Sequence, residues 1–132
     1  MTIRFGLALA ILVALTACRK DETVAGYGGA GKVWRLVELD DATYTYDVTL
    51  TFPERGLVAG KAPCNRYSAE MDIPYPWFGV GPIRSTHATC PEQAVENAYL
   101  GALKTMTLSE VLGDTLILRT DDGREMVFKS TD

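Results

Sequence analysis

Apolar residues recur at every second position along most of this chain, and at every third or fourth position in one segment only. Tyr44, Tyr46, Val48, Leu50 and Phe52 alternate strictly, the pattern of a strand with one face on a core. Lys32 to Leu39, around Trp34, reads as a strand before it, and Leu57 to Lys61, Tyr67 to Ile73 and Trp77 to Ile83 read as extended pieces after it. Pro53-Glu54-Arg55-Gly56 and Pro74-Tyr75-Pro76 separate them, because proline cannot donate to a strand ladder. Leu108 to Leu112, Thr115 to Thr120 and Arg124 to Lys129 form a meander, and its turns, Gly113-Asp114 and Asp121-Asp122-Gly123, carry hairpin chemistry. Between these groups the period changes. From Pro91 to Met106, the residues Val95, Ala98, Tyr99, Ala102, Leu103 and Met106 return at helical spacing. Pro91 suits a first helical position, Glu92 and Glu96 lie toward the positive end of the helix dipole, and Lys104 lies near the negative end. The fold class expected is α+β, mainly β: one amphipathic helix over 91–106 on an antiparallel sheet of about seven or eight strands.

The N-terminus has a different composition. Of the first 17 residues, 13 are apolar and only Arg4 is charged. Met1-Thr2-Ile3-Arg4 is followed by an apolar or small-residue run from Phe5 to Ala14 and then by Leu15-Thr16-Ala17-Cys18. Such a run is too short to span a bilayer, which takes about 20 apolar residues, and reads as an export signal. Leu-Thr-Ala-Cys resembles the bacterial lipoprotein box. That resemblance implies cleavage before Cys18 and acyl chains on it, the alternative being an ordinary secretory signal with a chance cysteine near its end. Two or more chains make a stable anchor. By the same resemblance, Arg19 rather than Asp after the cysteine favours the outer membrane, facing the periplasm. The whole chain of 132 residues carries 13 Lys+Arg against 17 Asp+Glu, and removal of residues 1–17 takes the net charge from -4 to -5. That balance argues against nucleic acid and against a polybasic hold on anionic lipid.

Gly26 to Lys32 imitates two phosphate-binding patterns, G-x-G-x-x-G and G-x-x-x-x-G-K. Both need a strand before and a helix after, and the second needs Ser or Thr where Val33 stands. Neither condition is met, so residues 18–31 are read as the lipidated Cys and a flexible tether, and 32–132 as the domain.

Further along, Trp34-x-Leu36, Leu50-Thr51-Phe52, Cys64-Asn65-Arg66-Tyr67-Ser68, Ile83-x-Ser85-Thr86, Cys90-Pro91, Tyr99-Leu100, Gly113-Asp114-x-Leu116 and Asp122-Gly123-x-x-x-x-Phe128 follow in order. This order resembles the META/HslJ domain, common among bacterial envelope lipoproteins, over nearly all of 32–132. Ala69, Ala88 and Pro74-Tyr75-Pro76 depart from the pattern and bear on loop geometry. The resemblance implies a strongly bent, incomplete-barrel-like sheet crossed by one helix, and an association with heat shock, envelope stress and novobiocin tolerance. It supplies no reaction.

Apart from Cys18, the cysteines are Cys64 and Cys90. In an oxidising periplasm they are most simply a disulfide, the alternative being two buried free thiols. His87, Cys90 and Cys64 make an incomplete zinc set whose thiols the compartment competes for, so no metal is expected. One histidine with no nucleophile turn gives no triad, and no Cys-x-x-Cys is present, so no catalytic residue and no cofactor are expected. Asn65 is read as satisfying backbone groups at a bend, and Tyr67 and Thr86 as fixing the two motif segments against each other. Tyr75, Trp77 and Phe78 form the candidate interaction patch, against the reading that Trp77 and Phe78 close the end of the core. The expectation is a non-enzymatic, stress-associated binding or interaction module, anchored to the membrane by N-terminal acyl chains and meeting an unknown envelope protein. The alternative is a carrier for a lipid or small hydrophobic ligand in a cavity of the bent sheet.

Overall fold

The computed structural model describes residues 20–130. Nine strands and one helix follow in order: β1 Trp34–Leu39, β2 Ala42–Thr43, β3 Thr49–Glu54, β4 Leu57–Lys61, β5 Arg66–Glu70, β6 Arg84–Ser85, α1 Gln93–Thr105, β7 Leu108–Leu112, β8 Thr115–Arg119 and β9 Glu125–Ser130. The strands form one antiparallel sheet in the order β6-β5-β4-β3-β1-β9-β8-β7, with β2 paired to β1 off this path. The sheet does not close, and β6 and β7 are its two edges.

Alternation places the core on one face. Along β1, β3, β8 and β9 the residues Trp34 and Leu36, Leu50 and Phe52, Leu116 and Leu118, Met126 and Phe128 are buried. The helix lays Tyr99, Ala102 and Leu103 into the same cluster. It is shorter at both ends than the expected 91–106: Pro91 and Glu92 precede it, and Met106 is already extended at φ -68°, ψ 133°.

Two expected strands are broken. The run Tyr44 to Phe52 is a strand only from Thr49. Asp40 and Asp41, both at positive φ, turn the chain tightly into β2; Tyr44 N still donates to Val37 O at 2.9 Å, and Thr45 to Asp47 then leave the ladder before Val48 returns to the core. Trp77 to Ile83 is not a continuous strand either. It contributes a single bridge, Trp77 to Leu108, and the paired stretch comes later as β6. Counted with β2 and β6, the total exceeds the expected seven or eight.

The loop that holds Trp77 bridges the gap between the sheet edges. It leaves β5 and returns as β6, yet its middle is bonded along β7. Phe78 N donates to Thr107 O at 2.8 Å, and Ser109 N donates to Pro76 O at 2.7 Å. An exposed edge strand invites pairing with another chain, and this loop covers β7 with a segment whose prolines cannot extend the ladder.

The stretch expected as a flexible tether is, from about Thr23 on, part of the domain. A 3₁₀ turn, Val24–Tyr27, buries Val24 and Ala25, and Gly29 O accepts the Trp34 indole N–H at 2.8 Å. Gly29 is a packing residue: a Cβ there would lie 3.0 Å from the Phe52 ring and 2.8 Å from Val24 O.

Gly60 on β4 has a similar role, since a Cβ would meet Thr49 O at 2.0 Å and the Tyr67 hydroxyl at 2.7 Å. Gly60→Ala is expected to destabilise the domain by about 1–3 kcal/mol, because β4 must shift from β3 to admit the methyl. Gly101→Ala, on the helix where an added Cβ touches nothing within 4 Å, is expected to stabilise by up to about 1 kcal/mol. Urea unfolding of the two variants beside the parent checks both signs.

Candidate functional site

A buried polar network lies where the start of the helix meets the two cysteine-bearing segments. Cys64 and Cys90 are joined in a disulfide, with their Cα atoms 5.5 Å apart. The bridge ties the turn before β5 to the residue before Pro91, and so fixes the N-terminus of α1 against the sheet.

Asn65 and Glu96 lie beside it, both buried. Glu96 Oε1 accepts from the backbone N–H groups of Cys64 at 3.0 Å and Asn65 at 2.8 Å. Its Oε2 accepts from Asn65 Nδ2 at 2.7 Å and Gln93 Nε2 at 3.1 Å. Asn65 Nδ2 also donates to Ala88 O at 2.9 Å, while its Oδ1 accepts from Thr86 Oγ1 at 2.8 Å and from Ala88 N at 2.7 Å. The amide orientation follows from these partners, since reversal would set donors against the Ala88 N–H and an oxygen against the carboxylate. Both donors and both lone pairs of the Asn65 side chain are thus used within the protein.

Burial opposes ionisation of Glu96. The Asn65 amide, the Cys64 and Asn65 backbone N–H groups and Gln93 outweigh it and hold the carboxyl below its ordinary value. Among the described residues its partners are four N–H donors and no cation, as in an anion-binding bend. A carboxylate that is ionised at neutral pH, with both oxygens engaged, is suited to locking backbone in place and not to exchanging a proton with a substrate. A surface cleft of about 230 Å³ opens over this network, with Asn65 and Glu96 as its floor and Thr86, His87 and Asn97 among its walls.

The sequence marks Glu96 as part of the helix in the family pattern and as an acid near the positive end of the dipole, but not as the acceptor that holds the Cys64–Asn65 backbone. Its position three residues before Tyr99 and seven before Leu103 puts it on the apolar stripe, and that spacing is the signal for its burial.

Of the other expected motif residues, Thr86 does join the two segments: it donates to Asn65 and accepts from Arg66 N at 3.2 Å. Tyr67 does something different. Its hydroxyl donates to Thr49 O at 2.8 Å and lies 2.5 Å from the Tyr99 hydroxyl, so Tyr99 is the donor within the pair. Tyr67 therefore ties β5 to β3 and to the helix, not to the 86–90 segment. Burial pushes the phenols of Tyr67 and Tyr99 upward, and both stay protonated.

The aromatic patch divides. Phe78 is buried and belongs to the core, which corrects its place in an exposed patch. Trp77 is 58% exposed. Tyr75 is half-buried, stacked on Tyr27 with ring centroids 4.7 Å apart, and its backbone N–H reaches Glu22 O at 2.7 Å. Cys18 lies outside the described residues. Among the described residues no group of three His, Cys, Asp or Glu is placed to hold a metal, and no helix is long and apolar enough to cross a membrane. The inner face of the sheet, where a ligand cavity was the alternative expectation, is filled by Trp34, Leu36, Leu50, Tyr99, Leu103 and Phe128, each 1% exposed or less.

An open antiparallel sheet, stapled to one helix by a disulfide and a buried Asn–Glu lock, defines a small disulfide-linked, mainly β, α+β domain. The chain belongs to the META domain family, whose model matches residues 29–132. Among solved structures it is similar to a protein from Burkholderia xenovorans, determined by NMR, at 23% identity and a TM-score of 0.66, covering 82% of this chain and 87% of that one. It is also similar to a duf4847 family protein from Bacteroides vulgatus, at 12% identity and a TM-score of 0.59, covering 79% of this chain and 94% of that one. At these identities the likeness concerns the fold. No curated protein matches the sequence.

Proposed function

We propose that this META domain protein is a non-enzymatic lipoprotein of the bacterial envelope, held by acyl chains on Cys18 in the outer membrane and facing the periplasm, where it serves as a stress-associated interaction module. The observation that carries this reading is the Cys64–Cys90 bridge, because disulfides persist in oxidising compartments outside the cytoplasm. The lipoprotein-box sequence ending at Cys18 supports the same address. The Asn65–Glu96 lock supports a structural role for the family motif, since its polar atoms are already engaged. What the module offers a partner is its surface.

The test is made in cells. Radiolabelled palmitate is expected to enter the parent protein and not a Cys18→Ala variant, and the parent is expected to fractionate with outer membranes. In-cell crosslinking is expected to capture a discrete envelope partner whose loss reproduces the stress sensitivity of a deletion strain. Unlabelled parent protein in the soluble fraction would overturn the anchor. A deletion strain that tolerates heat and envelope stress normally would overturn the stress role.

A further inference from the structure

Among the described residues, exposed large apolar side chains are few, and most lie on neighbouring segments. Six large ones stand out, and four of them, Tyr27, Ile73, Trp77 and Leu112, lie on the segments that meet at the bridged gap: the 3₁₀ turn, the loop after β5, and β7. Strand geometry aligns two of them. Trp77 is bridged to Leu108, and Leu108 and Leu112 are four residues apart on β7, so Trp77 and Leu112 point to the same, outer face. Beside Leu108 lies a cleft of about 310 Å³ lined by Tyr75, Pro76, Leu108, Ile117 and the Glu110–Arg119 ion pair.

The N-terminal segment enters the fold at this place. Lys20 Nζ lies 5.4 Å from the centre of the Tyr27 ring, Tyr27 stacks on Tyr75, and Tyr75 is bonded to Glu22. Cys18 is two residues before Lys20 in the sequence, which allows roughly 7 Å of chain even when fully extended. With the 3₁₀ turn packed on the core, little slack remains to hold the domain away from whatever holds Cys18.

We propose that this face rests on the bilayer surface, with Trp77, Tyr27 and Leu112 at the boundary between headgroups and acyl chains of the leaflet that anchors Cys18. The proposal rests on the reading of Cys18 as the lipid attachment site. Tryptophan and tyrosine suit that depth, having one apolar and one polar side each. The charges beside these residues are mixed, Lys20, Arg55 and Arg119 among Asp21, Glu22, Asp72 and Glu110, so they supply no basic patch for anionic lipid and the contact is apolar.

The two tryptophans make the test direct, since Trp34 is fully buried and Trp77 is exposed. Full-length lipidated protein, purified from membranes, is reconstituted into phosphatidylcholine–phosphatidylethanolamine vesicles and compared with the unlipidated Cys18→Ala protein in solution. A Trp77→Phe variant supplies the Trp34 background. Acrylamide quenching of Trp77 is expected to fall severalfold in vesicles, and doxyl groups placed shallow in the bilayer are expected to quench it. Replacing a third of the lipid by phosphatidylglycerol is expected to add no further protection. Acylated Cys18 by mass spectrometry, together with a Trp77 as open to acrylamide as in solution, overturns the membrane contact alone. Absence of the acyl mass overturns the attachment and this orientation with it. Protection of Trp77 in native envelopes but not in vesicles identifies a protein as the occupant and also overturns it.

Discussion

Removal of the Cys64–Cys90 bridge, by reduction or in a Cys64→Ser/Cys90→Ser variant, is expected to lower the unfolding free energy by about 3.5 kcal/mol on the chain-entropy estimate for their sequence separation of 26. That is a large share of the 5–15 kcal/mol typical of a folded domain. Urea titration with and without dithiothreitol measures it. The larger part of the loss arises in the unfolded chain, which gains freedom, so the folded variant should keep its far-ultraviolet dichroism. A variant as stable as the parent would mean that the bridge constrains nothing the Asn65–Glu96 contacts do not already hold.

Glu96→Ala is expected to cost about 3 kcal/mol, because it strands the Cys64 and Asn65 backbone N–H groups and one Asn65 amide hydrogen in a buried place. For a domain of this size that is a fall of roughly 10–20 °C in Tm. Glu96→Gln should recover only part of it. Its amide can face the two backbone donors with its oxygen, but its nitrogen then meets Asn65 Nδ2, and Asn65 cannot turn over without losing Thr86 and Ala88. The acid limb carries the sign. The folded-state pKa of Glu96 lies below the unfolded value near 4.5, so its contribution is present at neutral pH and is lost as pH falls below that value and through the folded pKa. The stability difference between parent and Glu96→Gln should therefore shrink on acidification. Asp40 and Asp47, held low mainly by Arg124 and by Arg35 respectively, keep a residual acid slope in both proteins. A difference that stays constant from neutral pH to pH 3 would exclude an ionised, hydrogen-bonded Glu96. Because Cys64 donates its N–H to Glu96, the two losses share a partner, and the triple variant should not show their sum.

What could be read from the chain follows from how local each instruction is. The β7–β8–β9 meander was legible because alternation and turn chemistry agree within a few residues of each other. The helix was legible from its period, and only its ends were misplaced, where Glu92 and Met106 depart from helical backbone. The run from Tyr44 to Phe52 misled because an apolar–polar alternation does not say which strand it pairs with. Its first half is diverted by the Asp40–Asp41 turn, and Tyr46 ends exposed. The glycines of residues 26–31 suggested slack, whereas Gly29 is small because Phe52 and Val24 press on it. Trp77 and Phe78 are neighbours, so one had to face inward. The choice between them depends on β7, some thirty residues later in the chain, and no local pattern contains it.

The sheet order also dictates when the molecule can exist. β1 lies between β3 and β9, and its pairing with β9 runs from Trp34–Ser130 to Leu39–Met126. The first strand therefore waits for the last. A chain emerging from its N-terminus, from a ribosome or through a translocation pore, cannot assemble its central ladder until Met126 and Phe128 are free, and stays unfolded until then. Such a delay suits a polypeptide that must be threaded before it folds. It also means that truncation ahead of Glu125 should leave no stable fragment, only a chain whose first strand has one neighbour too few.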